Sequence, residues 1–143
     1  MEEERRAAGA RLGESCSMTK TVAIVDDDAS VRVAMQNLVR SLGLTARSFA
    51  SAEDLLAVLP SVSIDCIITD VQMDGLGGVE LAVALRRSGR AIPVIFITAF
   101  PDERVRLRAL AAGGIGFLRK PFEGRALIDL IEHALSRGAA RSG

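Results

Sequence analysis

The sequence predicts a doubly wound α/β domain built on a parallel sheet. Short β-rich apolar runs alternate with longer stretches whose apolar residues recur at helical spacing. Three of the runs are apolar nearly throughout, as strands covered on both faces are. Five strands and five helices in strict alternation require right-handed crossovers. The expected strand order is 2-1-3-4-5, which opens a crevice beyond the carboxyl ends of the first and third strands.

The individual elements follow from local signals. The strand runs are Thr21 to Val25, Thr45 to Phe49, Ile64 to Thr69, Pro93 to Thr98 and Ile115 to Leu118. Ser51, with Asp54 three residues later, is typical of a helix start, and so is Asp102 before the arginine-rich helix predicted from Glu103 to Ala112. Gly43 and Gly113 fall where helices should stop.

The chain has 143 residues, which suits one domain. We assign residues 19–137 to this domain, residues 1–18 to a mobile leader, and residues 138–143 to a tail or the start of a linker. Met18 stands just before the first ordered segment, so the natural start is either Met1 or Met18.

Charge and composition exclude several classes of function. Acidic and basic side chains balance at 18 each, so nothing favours binding to nucleic acid or to an anionic membrane. No apolar run approaches the roughly 20 residues that span a bilayer. The chain opens with three glutamates where a signal peptide would be basic. We therefore expect a soluble, cytoplasmic protein in which Cys66, inside an apolar run, is a buried thiol.

Acidic residues follow two of the predicted strands. Asp26, Asp27 and Asp28 come after the first strand, and Asp70 comes after the third. Two charges about 4 Å apart repel by about 4 kcal/mol at an effective dielectric near 20. Asp26, Asp27 and Asp70 should converge, and they therefore need a cation or raised pKa values. A bound Mg²⁺ ion is the simplest way to offset this repulsion, and Mn²⁺ could substitute for it.

Other interpretations of single residues stay open at this level. Aspartates after strands are common in turns and as helix caps, and we favour that interpretation for Asp28 alone. Thr98 ends the fourth strand and Lys120 follows the fifth. A hydroxyl and an ammonium directed at the same crevice would neutralise a phosphoryl group on the side away from the metal.

The motifs VAIVDDD, ITDVQMDGLGG, VIFITAF and GFLRKPF resemble the receiver domain of two-component response regulators over about Thr19 to Arg137. The resemblance implies a flavodoxin-like (βα)5 fold, with Asp70 taking a phosphoryl group from a phosphohistidine on a sensor histidine kinase. It also implies that Asp26, Asp27 and Asp70 hold the metal with the backbone carbonyl of Gln72.

The same resemblance assigns a switch. It makes Thr98 the switch hydroxyl and Lys120 the phosphate-pairing residue, with a cis peptide bond between Lys120 and Pro121. When Thr98 moves to the phosphoryl oxygens, Phe117 turns into the vacated space and alters the surface of the fourth helix, fifth strand and fifth helix. Receivers of the nitrogen-fixation-regulator type, which precede DNA-binding modules, are the most similar in pattern.

The surface named above carries charges of both signs, which suits a phosphorylation-dependent homodimer. A solvated helix surface is the alternative. The charged residues are Arg104, Arg106, Arg108, Arg119, Asp129 and Glu132.

The sequence departs from the family at a few positions. Asp74 stands where proline is usual, in a loop that continues Gly75-Leu76-Gly77-Gly78 and is expected to be flexible. Asp74 either tunes metal affinity and phosphotransfer or is simply solvated. The resemblance implies that Gln72 and Phe100 occupy positions that tune the lifetime of the acyl phosphate, and the bulk of Phe100 predicts a long lifetime.

Two other functions compete with the receiver interpretation. An aspartyl-phosphate phosphohydrolase of the haloacid-dehalogenase type would carry its second aspartate two residues after Asp70, where this chain has Gln72. A pseudo-receiver that only mediates contacts is disfavoured because all the reactive positions are filled.

Overall fold

The computed structural model describes residues 19–59, 61–73, 75–100 and 102–142, with side-chain surroundings up to Ser136. Its strands form one parallel sheet in the order β2-β1-β3-β4-β5, which confirms the predicted topology. The strands are β1 (Thr21–Val25), β2 (Thr45–Phe49), β3 (Cys66–Asp70), β4 (Val94–Thr98) and β5 (Gly114–Arg119). The helices are α1 (Ala29–Ser41), α2 (Ala52–Val58), α3 (Gly78–Arg87), α4 (Glu103–Ala111) and α5 (Gly124–Ser142).

Helix boundaries follow the capping chemistry predicted from sequence. The Asp28 carboxylate accepts hydrogen bonds from the N–H groups of Ser30 and Val31, which identifies it as the N-cap of α1. Ser51 and Asp102 cap α2 and α4 in the same way. Gly43 and Gly113 follow α1 and α4 with φ of 80° and 104°, a conformation that glycine adopts without steric cost.

The third strand begins later than expected. Ile64 and Asp65 were predicted to be in it, but β3 begins at Cys66 and ends at Asp70. The Asp65 carboxylate instead accepts a hydrogen bond of 2.8 Å from the N–H of Thr21, which connects the start of β1 to the loop before β3. Asp70 is thus the last residue of a strand, and its backbone has a fixed position.

The sheet separates two apolar layers. Helices α1 and α5 cover one face, and α2, α3 and α4 cover the other. Strands β3 and β4 are buried throughout, as their continuous apolar sequence predicts. Burial raises the pKa of the Cys66 thiol to about 12, so this side chain is a neutral core residue, as expected.

Helix α5 extends to Ser142 and so continues past residue 137, the predicted end of the domain. The alanines at positions 139 and 140 are strong helix formers, which explains why the chain does not leave the helix there. The predicted leader, residues 1–18, lies outside the described residues. In the described part of the chain, no helix is long and apolar enough to cross a membrane.

Candidate functional site

Three carboxylates meet at the carboxyl edge of the sheet. Strands β1 and β3 are neighbours in register, with Val25 opposite Thr69, so Asp26 and Asp70 emerge side by side. One oxygen from each of Asp26, Asp27 and Asp70 lies within 4.8 Å of the others. Asp26 is completely buried, Asp70 is almost so, and Asp27 is exposed to solvent. The predicted convergence of the three aspartates is therefore present.

Lys120 joins two of these carboxylates. Its Nζ lies 3.0 Å from Oδ2 of Asp26 and 2.9 Å from Oδ2 of Asp70. The Lys120 N–H donates a hydrogen bond of 2.7 Å to the carbonyl of Thr98, and the peptide bond from Lys120 to Pro121 is cis. The backbone at the end of β4 therefore positions the residue whose ammonium reaches the ends of β1 and β3.

The other oxygen of each paired carboxylate is held by the backbone. Oδ1 of Asp26 accepts a hydrogen bond of 2.9 Å from the N–H of Asp28, and Oδ1 of Asp70 accepts one of 3.0 Å from the N–H of Gln72. Each carboxylate thus has one backbone donor and one ammonium donor. Because donors on two sides fix a planar group, both side chains are oriented before any ligand binds.

Burial and charge act in opposite directions on this site. Burial raises the pKa of Asp26 above its ordinary value, and the hydrogen bonds from Asp28 and Lys120 offset only part of that effect. Partial burial lowers the pKa of Lys120, but hydrogen bonds and charge pairing with Asp70 and Asp26 outweigh it, so the pKa of Lys120 is raised. The site thus favours a charged lysine beside a carboxylate that resists ionisation.

The residues present fit a hard divalent cation. When Asp26, Asp27 and Asp70 are all ionised, the single charge of Lys120 leaves an excess of negative charge among oxygen donors. Carboxylate oxygens are the ligands that Mg²⁺ prefers, and Mg²⁺ sites usually combine one or two carboxylates with water. The exposed Asp27 leaves this cluster open to solvent on one side.

The switch candidates lie near this cluster without direct contact to its carboxylates in the described structure. Thr98 is buried at the end of β4, and its Oγ1 accepts a hydrogen bond of 3.1 Å from the N–H of Phe100. Phe117 on β5 is opposite Phe96 on β4. Since side chains two residues apart share a face of a strand, Thr98 and Phe117 lie on the same face of the sheet.

Two of the three tuning candidates, Gln72 and Phe100, are among the described residues. Phe100 is 70% exposed. Asp74 lies outside the described residues. Gln72 is exposed, and its backbone N–H is the group that contacts Asp70.

Sequence patterns did not reveal two supporting contacts. An Nη atom of Arg32 in α1 donates a hydrogen bond to the backbone carbonyl of Asp26. Gly78 lies directly over Asp70: a Cβ added at Gly78 would be 2.5 Å from the backbone oxygen of Asp70. A second glycine beside Gly77 is the only local signal of this close approach, and we had interpreted it as flexibility.

Known proteins share this arrangement. The family model of the response regulator receiver domain matches residues 22–132. The chain is a response regulator receiver domain.

Several relatives of this receiver domain are longer proteins. It is 40% identical over 128 residues to the C4-dicarboxylate transport transcriptional regulatory protein DctR of Rhodobacter capsulatus, a match that covers 88% of this chain and 64% of DctR. It is 34% identical to the transcriptional regulatory protein FixJ of Bradyrhizobium diazoefficiens, covering 83% of this chain and 59% of FixJ. The chain therefore spans roughly half to two thirds of the curated relatives it matches.

Solved structures agree with the fold of the receiver domain. The response regulator StyR superposes with a TM-score of 0.80 at 41% identity, covering 87% of this chain and 63% of that chain. The crystal structure of FixJ-N superposes with a TM-score of 0.77 at 35% identity, covering 84% of this chain and 96% of that chain. The receiver domain is thus similar to FixJ in both sequence and fold, consistent with a FixJ-like subfamily.

The ammonium of Lys120 is expected to stabilise the fold as well as the site. Lys120→Met retains an apolar stem but leaves a hydrogen-bond acceptor of the buried Asp26 unsatisfied, so the free energy of unfolding at pH 7 should fall by about 1–3 kcal/mol. Since the raised pKa of Asp26 favours its neutral form, this loss should shrink as the pH falls towards 3.8, the ordinary value. Urea denaturation at pH 7 and pH 5 in EDTA measures both effects.

Arg119→Met is the matched control for this substitution, because Arg119 is an exposed neighbour on β5. It should change the free energy of unfolding by less than about 0.5 kcal/mol. Equal losses in the two variants would contradict the stabilising role of the Lys120 ion pairs.

Proposed function

We propose that Asp70 is the phosphoacceptor of this receiver domain and that the donor is a phosphohistidine on a sensor histidine kinase in the cytoplasm. The carboxylate of Asp70 attacks phosphorus in line, a P–O bond forms, and the P–N bond breaks. The histidine nitrogen leaves with the bonding electron pair, and the product is an acyl phosphate. The proposal rests on the distance of 2.9 Å between Nζ of Lys120 and Oδ2 of Asp70.

The residues around Asp70 have complementary roles in this proposal. Lys120 pairs with the phosphoryl oxygens and offsets the charge that arrives on Asp70. Asp26, Asp27, Asp70 and the backbone carbonyl of Gln72 would hold Mg²⁺, or Mn²⁺ in its place. When bound, the metal would neutralise negative charge on the phosphoryl oxygens that Lys120 does not pair with. The backbone N–H of Gln72 keeps the Asp70 carboxylate oriented for attack.

The output is a change in the surface formed by α4, β5 and α5. Thr98 donates its hydroxyl to the new phosphoryl oxygens, and Phe117 turns into the space that Thr98 leaves. The support for this step is that Thr98 and Phe117 occupy one face of neighbouring strands, with Thr98 at the edge where the phosphoryl group is added. New contacts made only in the phosphorylated state bias the equilibrium between two surfaces.

Labelling with a small phosphodonor tests the assignment of Asp70. Treatment with acetyl phosphate and Mg²⁺ should add one phosphoryl group to the wild type and none to Asp70→Asn, because an amide is not a nucleophile of comparable strength. Intact-mass spectrometry provides the measurement. Equal labelling of both proteins would exclude Asp70, and repeated turnover of a phosphate ester would support a phosphohydrolase instead.

Phe100 is proposed to prolong the life of the acyl phosphate by excluding water. Its N–H is bonded to Oγ1 of Thr98, so its exposed ring is tethered beside the site. Phe100→Ala should lose phosphate several-fold faster than the wild type in a phosphate-release assay. Leu107→Ala is a control, since Leu107 is another exposed apolar side chain, on α4. Slower release from Phe100→Ala would reject this role.

We also propose a phosphorylation-dependent homodimer through α4, β5 and α5. Several charged residues of this surface already pair within one chain, so fewer of them can form contacts between copies. Arg106 pairs with Glu103, Arg108 lies 3.7 Å from Glu80, and Asp129 pairs with Arg125 within the same chain. Arg104, Arg119 and Glu132 are the other candidates for contacts between copies.

Sedimentation tests the dimer. Addition of beryllium fluoride and Mg²⁺ should convert the wild type into a dimer at micromolar concentration, while Asp70→Asn should stay monomeric. A wild type that remains monomeric at high concentration would refute dimerisation by this route.

A further inference from the structure

The segment between β3 and α3 is a loop closed at both ends. At its start, the N–H of Gln72 binds the side chain of Asp70. At its end, the N–H of Gly78 donates a hydrogen bond of 3.1 Å to the carbonyl of Val71. The loop therefore leaves the phosphoacceptor strand and returns to it, and its conformation determines where the backbone of Gln72 lies.

The middle of this loop is held by a residue from another helix. Oε2 of Glu53, in the first turn of α2, accepts a hydrogen bond of 3.1 Å from the N–H of Leu76. Gly75 faces the same carboxylate, and a Cβ added there would be 2.9 Å from Oε2. Among the described residues, this is the only hydrogen bond that joins residues 72–77 to an element other than β3 and α3, which flank the loop.

The loop needs such a restraint because its own sequence provides little. Gly75 has φ of 78°, a conformation that glycine adopts freely, and Gly77 also has no side chain to pack. Ordering a glycine carries a larger entropic cost than ordering any other residue. A charged acceptor on the rigid end of α2 offsets part of that cost at the centre of the loop.

We propose that Glu53 is a positioning residue for the phosphoacceptor: by binding the N–H of Leu76 it keeps Gln72 in place beside Asp70. This inference rests on the proposed function of Asp70. Glu53 touches neither the phosphoryl group nor the metal, and it acts only through the backbone of the loop. Its loss should weaken both the alignment of Asp70 and the metal site to which the Gln72 carbonyl contributes.

Asp54 provides a matched comparison. Both Glu53 and Asp54 are exposed acidic residues in the first turn of α2, where a negative charge favours the helix. Only the Glu53 side chain reaches the loop. Removing either charge should have the same small effect on α2, so a difference between the two variants reports the contact with Leu76.

A series at position 53 separates reach from charge. Glu53→Gln retains an acceptor oxygen at the same reach, Glu53→Asp retains the charge on a side chain one methylene shorter, and Glu53→Ala removes both. We expect the labelling rate and the Mg²⁺ affinity of Glu53→Gln to stay within about twofold of the wild-type values. In Glu53→Asp and Glu53→Ala both quantities should fall by about three- to tenfold, the effect of one exposed hydrogen bond to a charged group. Asp54→Ala should match the wild type.

Three measurements apply to each variant: the initial rate of labelling by acetyl phosphate, the affinity for Mg²⁺ alone by calorimetry, and the exchange rate of the Leu76 amide by NMR without metal. Faster Leu76 exchange and weaker Mg²⁺ binding in Glu53→Ala and Glu53→Asp, with melting temperatures equal to that of Asp54→Ala, are the expected results. A purely electrostatic role would give the opposite order, with Glu53→Asp near the wild type and Glu53→Gln near Glu53→Ala.

Two outcomes overturn the inference in distinguishable ways. If the wild type is labelled on Asp70 and Glu53→Ala equals Asp54→Ala in all three measurements, the inference fails while the proposed function stands. If the wild type takes up no phosphoryl group, the proposed function fails and the inference fails with it.

Discussion

The ion pairs of Lys120 with Asp26 and Asp70 connect the fold of this protein to its chemistry. The lysine lies just beyond β5, and its partners lie at the ends of β1 and β3. A buried carboxylate such as Asp26 is tolerated only with a charged partner and further hydrogen bonds. Because β4 separates β3 from β5, the side chain of Lys120 has to cross the end of β4, where the carbonyl of Thr98 holds its backbone.

The charge balance of this edge also explains why a phosphoryl group can act as a signal in the proposed mechanism. Lys120 already binds Asp70, so negative charge added to Asp70 must redistribute the contacts of the lysine. Thr98 is buried one strand away, with its hydroxyl oxygen bonded to a loop N–H that can be exchanged for another partner. In the proposed mechanism a small set of polar contacts would exchange partners at this edge, between apolar layers that are packed on both sides of the sheet.

The loop after Asp70 differs from what its glycine-rich sequence predicts. The glycines after Asp70 suggested flexibility, but two of them have steric reasons to be small: a Cβ at Gly77 would be 2.9 Å from the carbonyl of Val71, and one at Gly78 would be closer still to Asp70. Sequence separation hid the contact of Glu53 with this loop, since the two partners are 23 positions apart and Glu53 belongs to no motif.

The sequence by itself determined the strand order, the caps of α1, α2 and α4, and the arrival of three aspartates and a lysine at one edge. Periodicity, capping and the direction of parallel strands are local properties that a sequence displays directly. Only the tertiary structure decided that Lys120 bridges Asp26 and Asp70 and that the side chain of Phe100 is exposed to solvent. These outcomes depend on distances between side chains from separate elements, which packing sets and which no spacing along the chain encodes.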